Sequence, residues 1–348
     1  MDRPSWLGGG KEPTQPVPHI PDSPPALAYE NAPPIPEPVF DAALMAGELE
    51  RGTSRFDSRE QVMVGEPSPV VTTVPTSASY RRTPYRADTV IDGWDNDSMA
   101  VRGTTMRGHL HRFNGAPRQD EMVLAEDSGR VVVCVADGVS AAQYAHVGAA
   151  AVCRYAAAWL DQSRSVPLWD LDFRKLLEYA NYGLVATAAQ ALGLVEPDPA
   201  AAADFATTLV VAVLEAADGG AGELWGRTIS VGDSGCWILG RAGFVPLGAG
   251  KASADGLISH ATSALPTTIG EVEPVDLTLW PGEALLVGTD GFGDPLGTGE
   301  GVVGDFFRSV LGDGPPALIH LAHALDFSRE RFDDDRTLVA VYPTAAPS

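Results

Sequence analysis

VVVCVADGVS, residues 131–140, is the stretch on which the reading of the fold turns. Val131 to Val135 form a short apolar run rich in β-branched residues, the composition of a strand buried on both faces. The run leads into Asp137-Gly138. A carboxylate at that point sits where a rigid strand meets a cleft, and the glycine lets the backbone turn and bares a carbonyl. Asp-Gly is also an ordinary turn dipeptide, so its weight depends on recurrence. It recurs at Asp290-Gly291, again at the end of an apolar run, 284–289.

The bulk properties bound the answer. The 348 residues are 45% hydrophobic, enough for a sizeable core. The formal net charge is -22, from 46 acidic and 24 basic residues. Such a surface repels phosphate backbones and argues against nucleic acid as a partner. Cys134, Cys153 and Cys236 show no CxxC spacing and lie in apolar segments, the setting of buried thiols. Their odd number, with no signal-like apolar core in MDRPSWLGGGKEP, leads to the expectation of a reducing cytoplasm. No apolar run reaches membrane-spanning length.

Residues 1–95 differ from the rest, with ten prolines between Pro13 and Pro38. A disordered tail is expected there, with one short helix over 41–51 and a Ser/Thr/Pro-rich linker over 68–89 that carries Arg81, Arg82 and Arg86. The linker reads as solvated chain, and the sharper alternative is a docking or phosphorylation tail. A domain over 96–343 and a short tail over 344–348 follow.

Within the domain, strands are expected over 101–109, 131–135, 207–214, 223–231, 236–240, 244–247, 275–279, 284–289 and 337–342. Residues 115–120 read as a turn. A hairpin turn at Gly129 is expected to leave Asp120 and Asp137 near opposite ends of its hairpin. Three-and-four spacing of apolar residues predicts helices over 144–160 and 173–194, and further helical segments over 301–311 and 316–331. Gly232-Asp233-Ser234-Gly235 is a tight turn between strands, and 248–266 a surface loop. Clustered strands without regular βαβ alternation predict an α+β fold with antiparallel sheets.

Four acids, Asp120, Asp137, Asp290 and Asp334, therefore flank apolar strands, and Asp294 falls one helical turn beyond Asp290. Each alone reads as a turn or cap residue. Together they suit hard divalent cations, which take carboxylate, carbonyl and water oxygens. Two such ions about 3.5–4 Å apart can activate a water and hold a phosphoryl oxygen.

The ordered series VADGV, FATTL, SVGDSG, VGTDGFGD and DDDRTLVAV, with PRQD upstream, resembles the metal-dependent protein phosphatases of the 2C family, closest to bacterial members. The resemblance covers about residues 100–343. It implies an αββα sandwich, two Mn²⁺ or Mg²⁺ ions, and hydrolysis of phosphoserine and phosphothreonine by direct attack of a metal-bridging water. By motif, Asp137 resembles the aspartate shared by both metals and Gly138 the glycine that offers a carbonyl. Asp290 and Asp334 resemble further ligands. Asp294 resembles a residue that helps hold a third ion, and Asp120 the second acid of a Glu-Asp pair. Asp233 reads as structural, capping its hairpin. Asp204 reads as a loop acid, with a part in the third metal as the alternative.

Three positions depart from the family pattern. Gln119 replaces the glutamate of the pair. Gly115 stands near the place of the phosphate-contacting arginine, leaving Arg112 or Arg118 as substitutes. Val139 follows Gly138 where some members carry a histidine that can serve as general acid; His111 and His146 read as ordinary surface or packing histidines, with a stand-in for that acid as the alternative. The expectation is a bacterial signalling phosphatase that acts on phosphoproteins and opposes a Ser/Thr kinase. The alternative is a catalytically weak regulatory or scaffold protein.

Overall fold

The structure, a computed structural model, describes residues 62–67, 86–127, 129–217, 222–248, 264–267, 269 and 273–344. In chain order the elements are β1 (Thr89–Asp95), β2 (Met99–Met106), α1 (His109–Asn114), β3 (Glu121–Asp127), β4 (Arg130–Ala136), α2 (Ala145–Gln162) and α3 (Phe173–Leu192). Then follow β5 (Leu209–Ala216), β6 (Leu224–Val231), β7 (Gly235–Gly240), β8 (Gly243–Leu247), β9 (Val275–Leu279) and β10 (Ala284–Gly288). The last elements are α4 (Asp290–Leu296), α5 (Val302–Leu311), α6 (Leu318–Leu325) and β11 (Arg336–Pro343).

The strands form two antiparallel sheets. One runs β1-β2-β11-β10-β7-β8 and the other β3-β4-β5-β6-β9. Strand β4 explains the layering. Val131, Val133 and Val135 point into an apolar layer shared with Val287, Val339 and Val341 of the other sheet. Val132, Cys134 and Ala136 point the other way, against Val152 and Ala156 of α2 and Leu176 and Leu184 of α3. Both faces are covered, so the strand has no polar alternation. The outer face of the six-stranded sheet carries α4 to α6, where Phe292, Phe307, Leu321 and Leu325 pack. The order of layers is helix, sheet, sheet, helix.

Several expectations need correction. The strand expected over 101–109 ends at Met106, and α1 takes up the chain before the expected turn, closed by Gly115 at φ 67°. The helix expected over 316–331 stops at Leu325. Beyond it the chain is held in non-helical form by the buried Arg336 guanidinium, which donates to the carbonyls of Leu325 (3.2 Å), Phe327 (2.5 Å) and Phe332. Part of the expected tail belongs to the fold. Strand β1 pairs with β2 from Thr89↔Met106 to Asp95↔Ala100, because Val90 and Trp94 pack on the inter-sheet layer. Upstream, Met63 bridges to Ser328, and Val64 is 5% exposed in the core beneath α4 to α6. The helix expected over 41–51 and most of the linker over 68–89 lie outside the described residues, as does most of the loop over 248–266.

Candidate metal centre

Strands β4 and β10 lie in different sheets, and each ends in its Asp-Gly. The Asp137 backbone is clamped by the FATTL motif. Its N–H donates to Thr208 Oγ1 (2.9 Å), and its carbonyl accepts from Thr208 N–H (2.7 Å) and Thr207 Oγ1 (2.8 Å). Gly138 bridges to Thr207, and a Cβ on it would lie 2.7 Å from Ala145 Cβ, so α2 packs directly on this glycine. Asp137, Asp233 and Asp290 each bring a carboxylate oxygen to within 4.8 Å of the others. Asp233 is thus more than the turn cap read from its motif. The GDSG turn is not the hairpin read from its motif: β6 and β7 lie in different sheets, and the turn crosses between them at the same end of the sandwich as both Asp-Gly pairs.

The pairing Glu121↔Ala136 puts Asp120 and Asp137 side by side at the open end of the β3–β4 hairpin, which corrects the expectation of opposite ends. Asp120 is fully buried. Its Oδ2 accepts hydrogen bonds from Thr289 and Thr337, each 2.8 Å. Its Oδ1 is buried with no hydrogen-bond partner.

Asp334 and Asp335 are consecutive in sequence but differ in setting. Asp334 Oδ1 accepts from the Asp335 N–H at 2.8 Å and is half-buried. Asp335 is buried, accepting from the N–H groups of Gly108 (2.6 Å) and Gln119 (2.5 Å), with His111 Nδ1 at 2.9 Å. Gln119 therefore acts here through its backbone. A Cβ on Gly108 would lie 2.2 Å from the Asp334 carbonyl, and one on Gly291 1.9 Å from the Asp335 carbonyl oxygen. The two glycines admit the Asp334-Asp335 backbone between them. Asp294 sits on α4 one turn beyond Asp290 and is exposed, as is Asp204.

The electrostatics follow from burial and crowding. Burial first, then Asp120, Asp290 and Asp334, push the Asp137 carboxyl well above the usual range. Asp290, in hydrogen-bond contact with Asp137, is pushed up to about 6, chiefly by burial and then by neighbouring acids that outweigh that bond. Asp120 is raised well above the usual range by burial and Asp335, against the pull of its two threonine donors. Asp334 is raised by burial and Asp335. Asp335 goes the other way: His111 and two backbone donors outweigh burial and lower its pKa. Reciprocally, burial works against a charge on His111, but Asp335 outweighs it and raises the imidazole.

These residues fit a hard divalent cation. The donors are carboxylate oxygens and a glycine carbonyl, Asp120 Oδ1 is buried with no partner in the protein, and Asp120, Asp137, Asp290 and Asp334 are held where their own charge is disfavoured. A cation among them reverses that penalty.

The two arginines expected to meet phosphate are committed elsewhere. Arg112 pairs with Asp88 (2.9 Å) and Asp326 (2.7 Å). Arg118, 3% exposed, donates to Thr105 Oγ1 (2.8 Å) and to the Asp120 carbonyl (2.6 Å). Neither guanidinium joins the acids as a free cation. His111, which reads from the sequence as an ordinary histidine, and Arg86, which reads as part of a solvated linker, lie beside the acids instead.

Two antiparallel sheets between layers of helices, with the acids gathered at one end, define an α+β sandwich of the protein phosphatase 2C kind. The family model described as Protein phosphatase 2C matches residues 107–318, more than half of the chain, and the chain belongs to that family. No curated protein sequence matches it. Among solved structures, the fold is similar to PppA, a key regulatory component of T6SS in Pseudomonas aeruginosa, with 15% identity, 73% of this chain and 100% of that one covered, and a TM-score of 0.46. It is also similar to the Mycobacterium tuberculosis serine/threonine phosphatase PstP/Ppp, with 17% identity, 70% and 98% coverage and a TM-score of 0.43. A third is the phosphatase domain of SpoIIE from Bacillus subtilis, with 14% identity, 73% and 96% coverage and a TM-score of 0.41. No helix among the described residues is long and apolar enough to cross a membrane.

Proposed function

We propose that the chain hydrolyses phosphoserine and phosphothreonine in proteins, using two Mn²⁺ or Mg²⁺ ions, and opposes a Ser/Thr kinase in a bacterial cytoplasm. The observation that carries this is the meeting of Asp137, Asp233 and Asp290 within 4.8 Å, with Asp120 beside them. Asp137, the Gly138 carbonyl, Asp290, Asp233 and Asp334 would hold the two ions. Asp120 would support them from behind, and Asp294 would serve a third, outer ion. When bound, the ions supply an acidified water and countercharge for the phosphoryl oxygens. Thr207 and Thr208 fix the Asp137 backbone, and Thr289 and Thr337 aim Asp120. Val139 carries no ionisable group, so the departing hydroxyl takes its proton from water.

The test is turnover of a phosphopeptide by the full chain across a Mn²⁺ titration, with Asp137→Ala and Asp290→Ala as controls. Turnover that follows Mn²⁺ and disappears in both variants supports the assignment. Turnover that persists in EDTA, or in both variants, overturns it.

The engagement of Arg112 and Arg118 with other partners favours a second reading: a phosphatase-like regulatory protein with little catalysis. Binding of Mn²⁺ without turnover on any phosphopeptide supports that reading instead.

A further inference from the structure

We infer that Arg86, which lies upstream of the family-matched region, is a positioning residue that fixes Asp120 and thereby the affinity of the metal centre. The inference rests on the metal-dependent reading above. It is carried by what the guanidinium touches. One terminal nitrogen donates to the Asp120 carbonyl (2.9 Å) and to Glu121 Oε2 (2.7 Å). The other donates to the carbonyl of His146 in the first turn of α2.

Those acceptors belong to the two elements that flank Asp137-Gly138. Residue 121 is paired with Ala136 across the β3–β4 hairpin. The residue before His146 is Ala145, which packs on Gly138. One side chain therefore joins the backbone on both sides of the centre.

The Asp120 carbonyl is also held by Arg118, at 2.6 Å. Two guanidinium groups converge on one carbonyl, while two threonines take Oδ2 of the same residue. The Asp120 backbone and one carboxylate oxygen are fixed, leaving Oδ1 as its unpartnered atom. Pinning both a carbonyl and a carboxylate on β3 while reaching across to α2 needs the planar fork of arginine. A lysine offers a compact charge and cannot reproduce it.

The side chain is 10% exposed. Its partners are the main chain of Asp120, the side chain next to it and the helix that covers Gly138. A pin that served packing alone would leave the affinity of the folded protein for metal unchanged. A partner that orients a ligand set typically changes metal affinity by about 10–100-fold when lost.

The experiment is calorimetric titration of the full chain with Mn²⁺, for wild type, Arg86→Ala, Arg86→Lys and Glu121→Gln, with circular dichroism confirming the folded state of each. We expect about a 10-fold or greater loss of Mn²⁺ affinity in Arg86→Ala and Arg86→Lys, and a smaller loss in Glu121→Gln. Low-millimolar guanidinium should restore Arg86→Ala, which leaves an empty slot, and should not restore Arg86→Lys. If Arg86→Ala does not fold, the lysine and Glu121 variants carry the test. Mn²⁺ affinity within twofold of wild type in the folded variants, even with a lowered Tm, overturns the inference and leaves the proposed function standing. A wild-type chain that binds no Mn²⁺ overturns both.

Discussion

The Thr337 hydroxyl donates to Asp120 Oδ2 at 2.8 Å across 217 residues of sequence. This bond ties the last strand to the open end of the β3–β4 hairpin, so it crosses from one sheet to the other. It belongs to a wider set of bonds. Arg118 donates to the Thr105 hydroxyl (2.8 Å), and the Thr337 hydroxyl is shared between Asp120 and the Thr105 hydroxyl, 2.7 Å away, which accepts from it. Removing the Thr337 hydroxyl breaks both links. Thr337→Val should lower unfolding free energy by about 1–3 kcal/mol, the range for a buried polar group left unmatched. Urea denaturation of wild type and variant measures it, and an unchanged midpoint would show that the chain of hydroxyls adds nothing.

Asp290 lies in hydrogen-bond contact with Asp137, crowded by Asp334, Asp233 and Asp294. Without a cation that crowding is unfavourable. Asp290→Asn should therefore stabilise the metal-free protein by about 1 kcal/mol, or about 2–4 °C in Tm for a domain of this size. Added Mn²⁺ should raise the Tm of wild type and leave the variant nearly unmoved. Thermal melts in EDTA and in Mn²⁺ provide the comparison. A variant that melts below wild type in EDTA would contradict the repulsion argument.

Gly291 owes its place to close approach. A Cβ there would lie 1.9 Å from the Asp335 carbonyl oxygen and 3.2 Å from Arg336 Cγ. The clash is with backbone, so the strand must move and carry Asp334 with it. Gly291→Ala should destabilise by about 1–3 kcal/mol and weaken Mn²⁺ binding. Chemical denaturation together with calorimetry separates the two effects, and wild-type values in both would refute the close-packing argument.

The sequence made the layering legible because β4 carries no polar face, and a strand of that kind must be covered twice. Asp137 and Asp290 were legible for a related reason: a carboxylate after a rigid buried strand has its position set locally. Asp233 was not. The turn it occupies accounts for it completely at close range, and its approach to Asp137 depends on the chain crossing there from one sheet to the other. His111 sits in HLHRF, where nothing marks it, and its partner Asp335 lies near the other end of the chain. Arg112 and Arg118 could be placed near the acids, but whether a guanidinium is free depends on distant residues, Asp88 and Asp326 for one and the Thr105 hydroxyl for the other.

His146 gives a pH prediction. Burial, then the nearby Arg86, lower its pKa from 6.5 to about 4. The unfolded chain accepts a proton that the folded chain refuses between those values. The histidine's contribution is fully present above about pH 6.5 and is lost as pH falls toward 4, up to about 3 kcal/mol at about 1.36 kcal/mol per pK unit. His146→Gln should flatten that part of the stability curve. Parallel urea titrations from neutral to acid pH give the difference between the two proteins, and a constant difference would show that His146 does not titrate this way.

The segment around Val64 pairs with the loop before Asp334. Val64 N–H donates to the Ser328 carbonyl (3.2 Å), Ser328 N–H to Val62 (2.8 Å) and Glu330 N–H to Glu66 (2.8 Å). A recombinant fragment beginning at residue 96 would keep every acid of the centre and lose these bonds, all of β1 and Arg86. Such a fragment is the natural choice from sequence similarity, and it would understate the protein's affinity and stability alike. Similarity marks what relatives share, whereas the unit worth purifying begins ahead of Val62.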